Sequence, residues 1–340
     1  MIKLLESIFG RSPAATSKFD PILIRKATDR LVEGTDPRLK AVVGYQEKLR
    51  PAVERTVEYV IDLVDSLKDP ADIARANYLA DPRLRAFFSS VEQIREIISA
   101  SAAINEFLKL RGSAPIEPLY AMFAVRHEEQ KTLGMKLEGE TVRRDVMQQV
   151  FNFHGHRFFA PNTDEDTCRW EVKRRAYDEM VSATLARLAT ERENRNTTQR
   201  ERQLLEAKLR RLRTGRLGLG PEMEDQPQSD AGSVEQEIAR IESELDKATI
   251  SQTTLEDYVN ICAETLNSPE AHLRIRPISI TLDQMGRKVD AGSSTSARTL
   301  SLQEVSLADG QRAIIMPVRI DPAEIPPPRD FIKEARKYLG

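Results

Sequence analysis

Residues 177–212 read YDEMVSATLARLATERENRNTTQRERQLLEAKLRRL, and this stretch decides the predicted fold. Steps of four and three residues from Tyr177 reach seam positions that are apolar at both ends and polar in the middle: Val181, Thr184, Leu188, Glu191, Arg195, Thr198, Arg202, Leu205, Leu209 and Leu212. A repeat of 3.5 residues keeps one stripe of a helix against a partner helix. Because a second run of the same spacing extends from Val234 to Leu266, we predict an antiparallel coiled-coil hairpin over residues 164–267. Residues 214–233, rich in Gly, Pro and acidic side chains, would form its disordered tip.

The predicted seam contains one arginine in its polar middle. Aligning Leu212 with Val234 places Arg195 within one residue of Gln252. The guanidinium then has two options, because it either uses Gln252 and Glu191 as acceptors, which would fix the register, or extends into water. Both options remain open at this point.

A helical domain is predicted before the hairpin, over residues 19–126. Within this region Asp followed by Pro occurs at residues 20–21, 36–37, 69–70 and 81–82. Asp accepts a hydrogen bond from a free amide at a helix start, and Pro at the first helical position loses only an unpaired donor. Each pair therefore predicts a helix start. Residues 1–18 form a leader and linker whose amphipathic beginning either docks on a membrane or partner or packs on its own domain.

Alternating apolar residues predict strands on both sides of the hairpin, over residues 127–163 and 268–325. Ala308-Asp309-Gly310 is a hairpin turn signal before Ile314, Met316, Val318 and Ile320, which share one face of a strand. Pro277 indicates a bulge or an edge strand. The predicted fold class is α+β and mostly α: an N-terminal helical domain and a small antiparallel β domain split by the coiled-coil hairpin. Residues 326–340 would form a Pro-rich spacer and a C-terminal helix.

The composition predicts a cytoplasmic protein without a transmembrane segment. Charged residues make up 31% of the chain, yet the net charge is only -2, so no global field attracts nucleic acid or lipid. Two cysteines are too few for a disulfide framework, which favours a reducing compartment. No phosphate-binding loop, dinucleotide fingerprint, nucleophile elbow or zincin motif occurs, so we expect neither enzymatic activity nor a cofactor.

Two weak chemical signals remain. Positive charge is concentrated at the end of the first heptad run, where it could contact phosphates or simply offset the helix dipole: Lys208, Arg210, Arg211, Arg213 and Arg216. His154 and His156 have the strand spacing that places two imidazoles on one face, as in a metal site. A third ligand would have to come from the remaining candidates, His127, His272 or the acidic residues 164–166.

Three functional hypotheses follow. The leading one is a non-catalytic structural or adaptor protein that binds other proteins, or further copies of itself, through the coiled-coil arm and the helical domain. The second is a nucleic-acid-associated component that uses the basic end of the arm. The third is a metal-dependent hydrolase around His154 and His156. No small-molecule substrate is identifiable from the sequence.

Overall fold

The structure is a computed structural model that describes residues 19–112, 117–138, 141–216, 236, 239–241, 243, 254–283, 286–289 and 297–325. The contacts divide the chain into two units. Unit 1 combines the described residues up to Arg55 with Val181–Asn267. Unit 2 combines Thr56–Met180 with the described residues from Ser268 onwards. Each unit is therefore built from two separate parts of the chain.

Helices dominate the first third of the chain and the region before the last strands. The α-helices are α1 (Pro21–Thr35), α2 (Tyr45–Asp65), α3 (Pro82–Phe87), α4 (Val91–Ala100), α5 (Ala102–Arg111), α6 (Glu165–Arg216) and α7 (Leu255–Leu266). Short 3₁₀ turns lie at Pro37–Ala41, Arg75–Asn77, Pro269–Ala271 and Pro322–Glu324.

Three of the four predicted Asp-Pro helix starts are confirmed. Asp20 accepts from the amide of Ile22 at the start of α1, and Asp81 accepts from the amide of Arg83 at the start of α3, both at 2.8 Å. Asp36 caps the 3₁₀ turn that begins at Pro37. The prediction at Asp69 is wrong, because the residues after Pro70 form a strand that pairs with the far end of the sequence.

Unit 2 is organised around one sheet. Its strands are β1 (Ala71–Ile73), β2 (Leu119–Glu138), β3 (Thr141–Asn162), β4 (Leu273–Leu282), β5 (Arg298–Leu307) and β6 (Arg312–Ile320). The order is β3-β2-β6-β5-β4 with antiparallel neighbours, and β1 pairs in parallel with β6. The turn predicted at Ala308-Asp309-Gly310 is confirmed, since it joins β5 to β6. Pro277 lies in β4 at the end of this order without a register shift, which confirms an edge strand and not a bulge.

The two outer strands of the sheet are linked by a short segment. The amide of Phe151 in β3 donates to Gly286, and the amide of Lys288 donates to Gln149. The amide of Val289 donates to Thr281 in β4. Because residues 286–289 bond to β3 on one side and to β4 on the other, these outer strands share a partner.

Both faces of the sheet are packed. One face buries large side chains of all the central strands against α3, α4 and α5, with Phe123, Ile314 and Val318 at 0% exposure. The other face packs Met122 and Ile315 against the end of α2 and the start of α6, where Cys168 and Val172 are buried. Alternate residues of β2 and β6 therefore belong to different cores, as the two-residue period of a strand requires.

The predicted fold class is wrong. In the part of the chain that the structure describes, the sheet has six strands, of which β2 has 20 residues and β3 has 22, so it is not a small β domain, and no long coiled-coil hairpin is seen to split it. Residues 165–216 form one 52-residue helix, and apolar positions near its start pack on elements other than a coiled-coil partner. The start of α6 packs on the sheet, and in unit 1 Val181 lies against Gly34 of α1. A heptad pattern specifies a buried helical stripe, which sheets and bundles can cover as well as a coiled-coil partner can.

Candidate functional site

The sheet of unit 2 opens between β5 and β6. The two strands pair from Ser306 opposite Arg312 up to Gln303 opposite Ile315 and then separate. The amide of Leu307 donates to Gln311, so odd-numbered residues of both strands bond across this pair. The next bonded position would join Ser301 to Pro317, and proline has no N–H to donate. Pro317 therefore gives a physical reason for the pairing to stop at Gln303.

The freed edge of β5 carries unpaired backbone groups. Residues 298–302 of β5 remain paired with β4 on their other side. Because strand residues alternate in direction, the N–H and C=O groups of Thr299 and Ser301 point away from β4. No backbone group within the described ranges pairs with them on that side.

A second strand edge lies across the opening. β1 pairs with the part of β6 that is not paired with β5, and Asp72 lies opposite Arg319. The carbonyl of Ile73 accepts from the amide of Asp321, so the backbone groups of Asp72 point to the other side. Asp72, Thr299 and Ser301 line one open cavity of about 550 Å³, which we call the edge cleft. The rest of its lining comes from the following residues: Lys68, Pro70, Ala71, Asn77, Ala80, Asp81, Pro82, Arg83 and Leu300.

The charged side chains of the edge cleft are held in place. Lys68 donates from Nζ to Oγ of Ser301 at 3.0 Å. Arg83 donates from Nε and Nη2 to the carboxylate of Asp81, the cap of α3. Asp72 accepts from Nη1 of Arg319 at 3.1 Å. The lining itself contains two cations and two carboxylates, so its formal charge is zero, and the unpaired backbone groups are the distinctive chemistry of the cleft.

The two histidines predicted as a metal pair lie on opposite faces of β3. Gly155 between them has a φ of 68°, and the register shifts by one residue where Arg126 faces His154 and Ala124 faces Arg157. This bulge lets His156 point inward, where it stacks on Phe88 at 5.4 Å, while His154 is exposed. Burial lowers the pKa of His156. Nε2 of His156 lies 2.6 Å from the carbonyl of Phe87.

The other proposed metal ligands do not converge on this pair. Nε2 of His127 lies 3.0 Å from Oε1 of Glu304. Asp164 accepts from the amide and hydroxyl of Thr167 at the start of α6, and His272 precedes β4. No group of three or more His, Cys, Asp or Glu side chains that could hold a metal occurs among the described residues.

The basic residues predicted to bind nucleic acid lie in the last turns of α6. Of the five, only the side chain of Arg210 is described, and it is exposed with an interaction of its own. The side chains of Lys208, Arg211, Arg213 and Arg216 lie outside the described part, so this hypothesis stays a prediction. The same holds for the Arg195–Gln252 register: Arg195 is half-buried and has a partner, but Gln252 is not among the described residues.

The sequence prediction does not include the edge cleft. It places Ile314, Met316, Val318 and Ile320 on one face of a strand and does not use the proline within that run. A proline inside an otherwise regular strand is a signal that one neighbour cannot pair there. That signal would have pointed to Pro317.

Comparison with known proteins gives no family assignment: no family model, curated protein or solved structure matches the chain. No helix in the described ranges has the length and hydropathy needed to cross a bilayer.

Proposed function

We propose that the protein is a non-catalytic adaptor or assembly protein that accepts an extended segment of a partner protein in the edge cleft. The observation that carries this proposal is the freed edge of β5, where Thr299 and Ser301 present two donors and two acceptors. An extended peptide is the ligand whose own backbone repeats with the spacing of those groups. The segment would add one strand beside β5.

The opposite wall of the edge cleft supports an extended occupant. The backbone of Asp72 also faces the opening, so a strand between β1 and β5 could bond on both sides. Each such hydrogen bond would contribute about 0.5–1.5 kcal/mol net of the water that it displaces. A few bonds of this size suit a reversible interaction, as adaptors require.

The cellular setting in this proposal is the cytoplasm. Cys168 and Cys262 are both buried free thiols, as expected where the cytoplasmic environment keeps cysteines reduced. Partners would be other proteins, with a second copy of this chain as the special case of a homo-oligomer.

Two substitutions at one position test the proposal. Ser301→Pro removes an N–H that points into the edge cleft but leaves the β4 pairing intact, because Ser301 bonds away from β4. Ser301→Ala is the matched control, since it keeps the N–H and removes only the hydroxyl that contacts Lys68. Peptides selected from a random display library on the wild-type protein should bind Ser301→Ala normally and Ser301→Pro at least tenfold more weakly, equivalent to about 1.4 kcal/mol.

Amide hydrogen exchange provides the structural measurement. A bound strand should slow exchange at Thr299 and Ser301, whose amides are otherwise open to water. Selected peptides that bind Ser301→Pro as tightly as the wild type would refute the proposal. So would binding that depends instead on Leu133 and Met147, an exposed cross-strand pair at 64% and 67% exposure on the β2–β3 hairpin.

A further inference from the structure

Unit 2 contains a second, more enclosed cavity beside the edge cleft, with which it shares Pro82 and Leu300. Its volume is about 200 Å³. Part of its wall is formed by apolar side chains from α3, β3, β4 and β5: Ala86, Phe151, Phe153, Leu282 and Leu300. Ligand sites in proteins typically enclose roughly 300–1,000 Å³, so a cavity of this size has room for about one ring with a small substituent.

The aromatic walls of this cavity are fixed by their neighbours. Phe153 meets Phe87 edge to face with centroids 5.0 Å apart. Phe151 contacts His127 edge to face, and Nζ of Lys288 lies 5.6 Å from its ring centroid. Walls held in this way need little reorganisation when a flat apolar group enters.

Two cations and one anion contribute to the lining. Arg85 of α3 and Arg298 of β5 pair with no carboxylate in the part of the chain that the structure describes. Asp283 is half-buried and already accepts from Nε of Arg287 at 2.7 Å and from its backbone amide at 3.0 Å. Because the charge of Asp283 is already paired with that of Arg287, the two arginines leave the lining positive, which favours an anion.

We infer that this cavity, which we call the arginine pocket, binds a small aromatic monocarboxylate. The ring would lie among Phe151, Phe153 and Leu282, and the carboxylate would reach the guanidinium groups of Arg85 and Arg298. A guanidinium matches the planar carboxylate with two parallel donors, and a charged hydrogen bond is stronger than a neutral one. An aromatic ring with one carboxylate combines an apolar surface for the phenylalanines with an anionic group for the two guanidinium groups.

Benzoate is the probe for this inference, and benzamide is its neutral counterpart of nearly the same shape. Titration of the full chain, followed by chemical-shift changes of the methyl groups of Leu282 and Leu300, should show saturable binding of benzoate. Benzamide and inorganic phosphate should bind at least tenfold more weakly. Equal binding of benzoate and benzamide would refute the charge assignment, and no saturation with benzoate would refute the site.

Substitutions then locate the binding. Arg298→Gln and Arg85→Gln should each weaken benzoate binding about tenfold, the effect of losing one charge-assisted hydrogen bond. Arg312→Gln, at an exposed position of β6 outside the cavity lining, is the matched control and should bind normally. Ala86→Leu should block the cavity without changing either arginine. Benzoate binding that survives both Arg85→Gln and Arg298→Gln would overturn the inference.

This inference does not depend on the proposed function. Ser301 does not line the arginine pocket, so Ser301→Pro should bind benzoate like the wild-type protein. If Ser301→Pro loses peptide binding but still binds benzoate, then only the edge cleft is impaired in this variant. The opposite result, peptide binding without benzoate binding, would refute the arginine pocket and leave the adaptor proposal standing.

Discussion

The guanidinium of Arg192 in α6 donates a hydrogen bond to the carboxylate of Asp36, which follows α1 and caps the next 3₁₀ turn. Asp36 is only 4% exposed and also accepts from Nε and Nη2 of Arg38. Arg192 lies over the ring of Tyr258 in α7 at 5.1 Å. One buried carboxylate thus links α1, α6 and α7 within unit 1.

Asp36→Asn should strongly destabilise unit 1. Asn still caps a helix start, but it leaves the partly buried Arg192 without its counter-charge, and breaking a buried pair costs about 3–5 kcal/mol. Asp20→Asn is the matched control, because Asp20 also caps a helix start but forms no ion pair within the described residues. Urea unfolding of both variants measures the difference. Equal stability of the two variants would contradict a role for the charge of Asp36.

The stabilising effect of Asp36 should disappear in acid. The hydrogen bond from Arg38 and the nearby charges of Arg38 and Arg192 lower the pKa of Asp36. A lowered folded-state pKa means that stabilisation is complete above the unfolded value of about 3.9 and is lost as the pH falls through the folded value. The wild type and Asp36→Asn should therefore differ by a constant unfolding free energy near neutral pH and converge below about pH 4. An unchanged difference at pH 3 would refute the assignment.

Both cysteines should be inert in the folded protein. Burial raises the pKa of Cys168 to about 12 and that of Cys262 to about 11. Only the thiolate attacks disulfide reagents, so at pH 8 fewer than about one thiol in a hundred would be reactive even with full access. A chromogenic disulfide reagent should therefore label neither cysteine in buffer and both in denaturant. Labelling of either within minutes in the native protein would contradict the described burial.

Gly155→Ala should cost about 1–2 kcal/mol, because a side chain disfavours the left-handed backbone of the β3 bulge. The added methyl has space, since the nearest side-chain atom, Cδ of Arg126, is 3.8 Å away. Gly155→Asn should cost less, because Asn tolerates this conformation better than Ala does. Thermal unfolding of the two variants gives the comparison. A larger loss of stability for Gly155→Asn than for Gly155→Ala would mean that available space, and not backbone strain, determines which residues residue 155 tolerates.

Glu324→Gln should weaken the attachment of the last 3₁₀ turn. Glu324 is 4% exposed and accepts from the amide of Arg75 at 3.0 Å and from Nε of Arg95 at 2.8 Å. Loss of the charge at such a buried acceptor costs about 1–3 kcal/mol. Glu117→Gln removes an exposed ion pair with Arg111 and should cost less than about 1 kcal/mol. Chemical denaturation measures the unfolding free energy of both variants. Equal losses of unfolding free energy would contradict a role for the burial of Glu324.

The sequence could predict those parts of the fold that depend on residues close together along the chain. Asp20 and Asp81 cap helices because the cap and its amide are two residues apart, and the turn at Asp309-Gly310 is equally local. The failure at Asp69 has a long-range cause. Ala71–Ile73 pair with a strand almost 250 residues later, and no local pattern contains that partner.

The heptads and the histidines show two other limits of the sequence. The apolar stripe of α6 is real, but its period does not say whether a sheet or a helix covers Cys168 and Val181. The histidine prediction assumed an uninterrupted strand, although a glycine between His154 and His156 is a known bulge signal. The sequence shows equally that Pro317 has no N–H to donate, but it does not show which strand lies opposite Pro317.

The pairing of β1 with β6 also sets when unit 2 can fold during synthesis. Asp72 and Arg319 are hydrogen-bonded neighbours, yet 247 residues separate them along the chain. At about 5–20 residues per second, the ribosome needs roughly 12–50 s to produce the second strand after the first. During that interval β1 has no strand to pair with, and the apolar faces of α3 to α5 can pack only on β2 and β3. The nascent chain should therefore be a client of ribosome-associated chaperones until β6 has emerged.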